Sequence, residues 1–69
     1  MKRRDVVAHL LIHGCSLLRE GARHSIFVNP SNNRISTVPR HAEVNDHLVV
    51  KICKDLDIPR PGARNGRPM

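Results

Sequence analysis

The sequence predicts a small α+β domain ordered as helix, three-stranded antiparallel meander, helix. Three observations carry this. Apolar residues recur at helical spacing near both ends, at Val6, Val7, Leu10 and Leu11 and again at Val49, Ile52, Cys53 and Leu56. Between these stripes lie three short strand segments, separated by turn residues at Gly21 and at Pro30-Ser31-Asn32-Asn33. Each connection is short enough to be a hairpin, so the strands form a meander. Residues 1–58 make the single domain, and 59–69 a basic tail rich in Pro, Gly and Arg.

The first helix has Asp5 in or just before its first turn and Gly14 placed to end it in the left-handed conformation. His9 and His13 sit four apart on it, the spacing of two metal ligands on one face, but no third ligand is near in sequence. No metal site is therefore expected, and His13 suits a helix C-terminus. Cys15 to Glu20, with Leu17 and Leu18, form the first strand. Gly21 is expected to reverse the chain by taking a positive φ, which costs glycine nothing, and His24 to Asn29 form the second strand. In the next turn Pro30 suits the second position and Asn tolerates left-handed backbone; Arg34 to Val38 then form a third strand, broken by Pro39. Asn45 is a good N-cap for the second helix, with Asp46 in its first turn and Lys51 and Lys54 on its solvent side. Asp57 and Pro59 end that helix, where Gly would suit the stop better. The tail has no apolar periodicity and is expected to be disordered.

In the second strand His24 shares parity with Ile26 and Val28. If these face the core, His24 is a satisfied core histidine; if Phe27 faces the core, His24 points outward. The alternation alone leaves both open, and at a strand start next to a turn the pleat often fails.

Composition bounds the function. A chain of 69 residues buries only about 60% of its unfolded surface, which leaves no room for a deep substrate cleft. Twelve Lys and Arg against six Asp and Glu give a net charge of +6, which favours a polyanionic partner such as nucleic acid or an acidic protein. Three of the basic residues, Arg60, Arg64 and Arg67, lie in the tail. With no Trp or Tyr and one Phe, the base-stacking platforms of RNP-type sheets and OB-folds cannot be built, so contact with nucleic acid must be mainly to its backbone. Cys15 and Cys53 form no C-x-x-C pair and read as reduced, buried thiols of a cytosolic protein. Lys2-Arg3-Arg4 before Val6 to Ile12 faintly imitates a signal sequence, but Asp5, His9 and His13 interrupt the apolar run, and nothing approaches membrane-spanning length.

Five pieces of the chain recur together: Lys2-Arg3-Arg4-Asp5-Val6-Val7, the His13-Gly14 helix stop, the turn Gly21-Ala22-Arg23-His24, Thr37-Val38-Pro39-Arg40-His41, and Lys51-Ile52-Cys53-Lys54-Asp55-Leu56. In that order and at these spacings, from Met1 to about Pro59, the chain resembles the HicA family of toxins from type II toxin–antitoxin systems. Two departures stand out. Many members have a shorter glycine turn before the histidine, whereas Ala22 and Arg23 here separate Gly21 from His24; Asp57 replaces a frequent Gly at the end of the second helix.

The resemblance implies a double-stranded-RNA-binding-like fold and an mRNA interferase, an endoribonuclease neutralised by a HicB-type antitoxin; no cofactor is expected, because the chain offers no carboxylate cluster and no convincing ligand set. It places the family's functional histidine on His24. RNA carries its own nucleophile, the 2′-hydroxyl, so a minimal nuclease needs a base and cations for the phosphorane. Histidine suits the base, since its unperturbed pKa lies near neutrality. Arg23 and Arg40 are candidate phosphate binders, and Lys2, Arg3 and Arg4 candidates to extend the positive face; the alternative for each is a solvated surface charge. His41 is open between general acid or substrate contact and a structural loop residue. The rival function is a non-catalytic module that grips RNA by shape and phosphates. A DNA-binding regulator fits poorly, because the two helices lie at opposite ends of the chain and form no helix-turn-helix.

Overall fold

A computed structural model describes residues 1–62 of the chain. Its elements are α1 (Arg3–Ile12), β1 (Ser16–Glu20), β2 (His24–Asn29), β3 (Arg34–Pro39) and α2 (Asp46–Leu56). The sheet is antiparallel, in the order β1-β2-β3, and both helices pack on one of its faces. This is the α-β-β-β-α arrangement expected from the sequence.

The pleat of β2 decides which face is covered. Ser25, Phe27 and Asn29 are buried, with Phe27 only 3% exposed, while His24, Ile26 and Val28 turn to the other side. Phe27 joins Val6 and Leu10 of α1 and Val49, Ile52, Cys53 and Leu56 of α2 in one core with Cys15, Val38 and Val44. His24 is exposed, so the core-histidine alternative does not hold.

Three details differ from expectation. Gly21 is not in the left-handed region among the described residues; its need for glycine is steric, since a Cβ there would meet the His24 carbonyl at 3.1 Å. The third strand runs one residue further, to Pro39, which β3 tolerates because it is an edge strand and needs no outward N–H donor. In β1 the ladder shifts register between Leu17 and Arg19, which bulges Leu18. All five residues of β1 are exposed, Leu17 at 51% and Leu18 at 57%, and α1 leaves Leu11 exposed as well.

Local signals otherwise act as read. Gly14 ends α1 with φ 86°, and Asn33 supplies the left-handed residue of the second turn at φ 62°. Asn45 caps α2 by accepting a hydrogen bond from the His47 N–H at 2.8 Å. The far end of α2 is secured by residues whose role the sequence did not reveal. Asn29 and Asn32 both donate to the Leu56 carbonyl, at 2.8 and 3.2 Å, and Arg34 Nε donates to the Asp55 carbonyl at 2.8 Å. The hairpin turn thus satisfies helix carbonyls that have no partner within α2. Lys51 and Ser36 hydrogen-bond the Asp55 carboxylate, and the Lys51 contact chiefly holds that carboxyl below its usual range. Cys15 and Cys53 are free and buried, and burial pushes both thiols up.

At the start of the tail the Pro59 carbonyl accepts a hydrogen bond from His9 Nε2 at 2.6 Å, which assigns the ring proton to that nitrogen. The expectation of disorder lies, from residue 63 onward, outside the described residues. No helix among those described is long and apolar enough to cross a membrane.

Asp57 caps α2 in the left-handed region, at φ 59° and ψ 48°. A Cβ is unfavourable there, and a negative charge opposes the helix dipole. Asp57→Gly should therefore raise stability by about 0.5–1 kcal/mol, a rise of roughly 2–8 °C in Tm by calorimetry. An unchanged or lower Tm would mean that the aspartate side chain stabilises the stop.

Candidate functional site

The turn from Glu20 to His24 and the loop from Pro39 to Ala42 meet at one end of the sheet because His24 and Pro39 are register partners. His41 lies two residues beyond that pair. Ala22, Arg23, His24, Arg40 and His41 consequently line one open depression of about 540 Å³. It brings two histidines and two arginines to one wall. The nearness of His41 to His24 was not legible in the sequence; it follows from the register of β2 on β3.

A second layer of polar contacts holds this end together. Gly21 N–H donates to the His24 carbonyl at 2.8 Å, which closes the turn, and Arg40 N–H donates to the Arg23 carbonyl at 3.2 Å, which ties the loop to it. The Arg40 guanidinium forms an ion pair with Glu20 and reaches the Gly21 carbonyl at 3.2 Å. Glu20 also accepts from the Ser25 hydroxyl at 2.9 Å. Ser25 is fully buried and its oxygen accepts in turn from Arg3 at 2.6 Å. Arg3 Nε donates to the Pro39 carbonyl at 3.0 Å.

These bonds sort the basic residues. Arg23 lines the depression and makes no ion pair among the described residues. Arg40 lines it too, with its charge shared with Glu20 across a half-exposed pair, a contact of at most about 1 kcal/mol that a phosphate can rival. Arg3 is brought to the network but not to the surface of the depression; its guanidinium is engaged with Ser25 and Pro39, so it fastens α1 to β2 and β3. Lys2 forms a backbone bridge with Glu43 and does not line the depression; nor does Arg4, which is exposed. Sequence reasoning missed Glu20 and Ser25. The available signal was an isolated carboxylate directly before the glycine turn of a basic segment.

His9 and His13, at the C-terminal end of α1, bring their rings together with centroids 4.5 Å apart and planes tilted at 54°. No group of three or more His, Cys, Asp or Glu side chains suited to hold a metal occurs among the described residues.

Fold and site together define a small α+β protein that carries a cationic, imidazole-lined site at its surface. The chain belongs to the HicA toxin family: the model of that family, described as HicA toxin of bacterial toxin-antitoxin, matches residues 3–58. It is therefore the toxin of a toxin–antitoxin system, a kind of protein whose partner is an antitoxin. No curated protein and no solved structure is similar enough to the chain to count as a match.

The different placement of Arg3 and Arg4 is open to a direct check. Arg3→Ala removes two charge-assisted hydrogen bonds and leaves the buried Ser25 hydroxyl short of a donor, so it should cost about 1–3 kcal/mol in urea unfolding. Arg4→Ala should stay within about 0.5 kcal/mol of wild type. Equal effects would show that Arg3 is not the fastening described.

Proposed function

We propose that this toxin is a metal-independent endoribonuclease, an mRNA interferase, with His24 as its catalytic base. The observation that supports it most is the depression in which His24 and His41 stand with Arg23 and Arg40. A surface site suits a polymer that no cleft of so small a domain can enclose. RNA brings its nucleophile with it, so the protein needs only to move protons and to counter charge.

In this mechanism His24 takes the proton of the 2′-hydroxyl, and the 2′-oxygen attacks the adjacent phosphorus. Negative charge that builds on the non-bridging oxygens is met by Arg23 and Arg40, whose guanidinium groups offer forked donors to phosphate. The bond to the 5′-oxygen breaks as that oxygen accepts a proton from His41. The products are a 2′,3′-cyclic phosphate and a 5′-hydroxyl. Lys2 and Arg4, exposed and off the depression, add to the positive field that draws RNA in.

The antitoxin is proposed to be HicB-type and to cover this same depression with an acidic surface, across an interface on the order of 1,600 Å² in total. Toxin activity is then silenced by occlusion of His24 together with its arginines.

His24→Ala should lower cleavage of labelled RNA by about 10²- to 10⁴-fold, with an unchanged circular-dichroism spectrum, because an exposed side chain is lost from a strand end. Wild-type rates in the mutant would remove His24 from the chemistry. A mobility shift without fragments for the wild-type protein would leave only the RNA-binding module.

Cleavage should persist in excess EDTA and stop when the nucleotide at the cut site is 2′-deoxy. Comparable cleavage of DNA would rule out attack by the 2′-hydroxyl.

Arg23→Glu should weaken both RNA cleavage and antitoxin binding, and antitoxin association should slow as salt rises. An antitoxin that binds this variant as tightly as wild type, or binds together with RNA, would rule out occlusion.

A further inference from the structure

We propose that Glu20 is a positioning residue: by dividing its carboxylate between Arg40 and Ser25, it fixes the distance between the His24 turn and the Arg40 loop across the depression. The kinetic half of this inference rests on the ribonuclease reading, whereas its structural half does not.

A carboxylate at this place is costly to a site that must attract phosphate, because it offsets the charge of Arg40. Its geometry gives it a different use. Glu20 ends β1 opposite Ser25, its register partner on β2 and the residue next to His24. One oxygen, Oε1, accepts from the Ser25 hydroxyl at 2.9 Å, and the other, Oε2, takes the Arg40 guanidinium. Ser25 is at 0% exposure and spends its single proton on Glu20, while its lone pairs receive Arg3 at 2.6 Å. Donation therefore converges on the Glu20 carboxylate, from Arg3 through Ser25 on one side, where each bond polarises the next, and from Arg40 on the other. Arg40, the second of these donors, lines the depression with His24, and its N–H is tied to the Arg23 carbonyl.

Charge and position predict opposite kinetics. If Glu20 were only a counter-charge, its neutralisation would strengthen RNA binding and leave turnover alone. As a clamp, its loss displaces Arg40 and the turn. Glu20→Gln keeps an oxygen for Ser25 but turns NH₂ donors toward the guanidinium, which has only donors. Glu20→Asp keeps the charge but is one methylene too short to span both partners.

The test measures kcat and KM on an RNA substrate for wild type, Glu20→Gln and Glu20→Asp. Alongside, NMR follows amide exchange at Gly21 and Arg40, whose N–H groups close the turn and tie the loop. Both variants should lose about 10- to 100-fold in kcat, the scale of a displacement near 1 Å, with the KM of Glu20→Gln unchanged or lower. Exchange at Gly21 and Arg40 should quicken at least about tenfold while Phe27 stays protected. Glu20→Asp with wild-type kcat and wild-type exchange overturns the proposal, as does Glu20→Gln with lower KM alone. If wild type itself does not cleave RNA, the ribonuclease reading fails, and the exchange rates alone decide: quickened, they uphold the clamp; unchanged, they overturn it.

Discussion

The period-two pleat of β2, pinned by Phe27 beneath the helices, is the constraint on which the rest depends. Once Phe27 is in the core, Ser25 and Asn29 must be buried beside it and His24 must face away. A slip by one residue would bury the imidazole and expose the only phenyl ring in the chain. Burial then forces the flanking polar residues to find partners. Ser25 takes Arg3 and Glu20 at one end of the strand, and Asn29 takes the Leu56 carbonyl at the other. The same alternation that builds the core therefore fastens α1 near the site and the end of α2 far from it.

The site is cationic without being a simple patch of charge. Of the five Lys and Arg residues between Met1 and His41 that are not in β1 or β3, Arg3 is committed to the fold and Arg40 is shared with a carboxylate, which leaves Arg23 as the arginine of the depression without an ion pair among the described residues. Net charge thus says little about where an anion binds; hydrogen-bond commitments say more. An arrangement in which one guanidinium is held by protein and one faces solvent gives a phosphate a fixed donor and an adaptable one.

Local signals made the fold legible in the sequence. Gly14, Asn33 and Asn45 each do what their chemistry suggested, and the stripe Val49, Ile52, Cys53 and Leu56 is buried throughout. What was not legible depended on contacts distant along the chain. The face of the sheet that carries His24 turned on whether Phe27 or Ile26 met the helices, and alternation is symmetric to that choice. The nearness of His41 needed the pairing of His24 with Pro39, and the roles of Arg3 and Glu20 needed Ser25 between them. Gly21 does reverse the chain, but its glycine serves close approach to a carbonyl and not the left-handed backbone its turn position suggests. In β1 the bulge at Leu18 and the exposure of Leu17 escape any pattern of period two.

The chemistry assigned to His24 is tested most directly by the ends of the RNA fragments. After wild-type cleavage in the presence of EDTA, mass spectrometry should find a 2′,3′-cyclic phosphate on one fragment and a 5′-hydroxyl on the other, the signature of attack by the neighbouring 2′-oxygen. Fragments that carry a 5′-phosphate and a free 3′-hydroxyl would mean that water is the nucleophile, and would contradict the account.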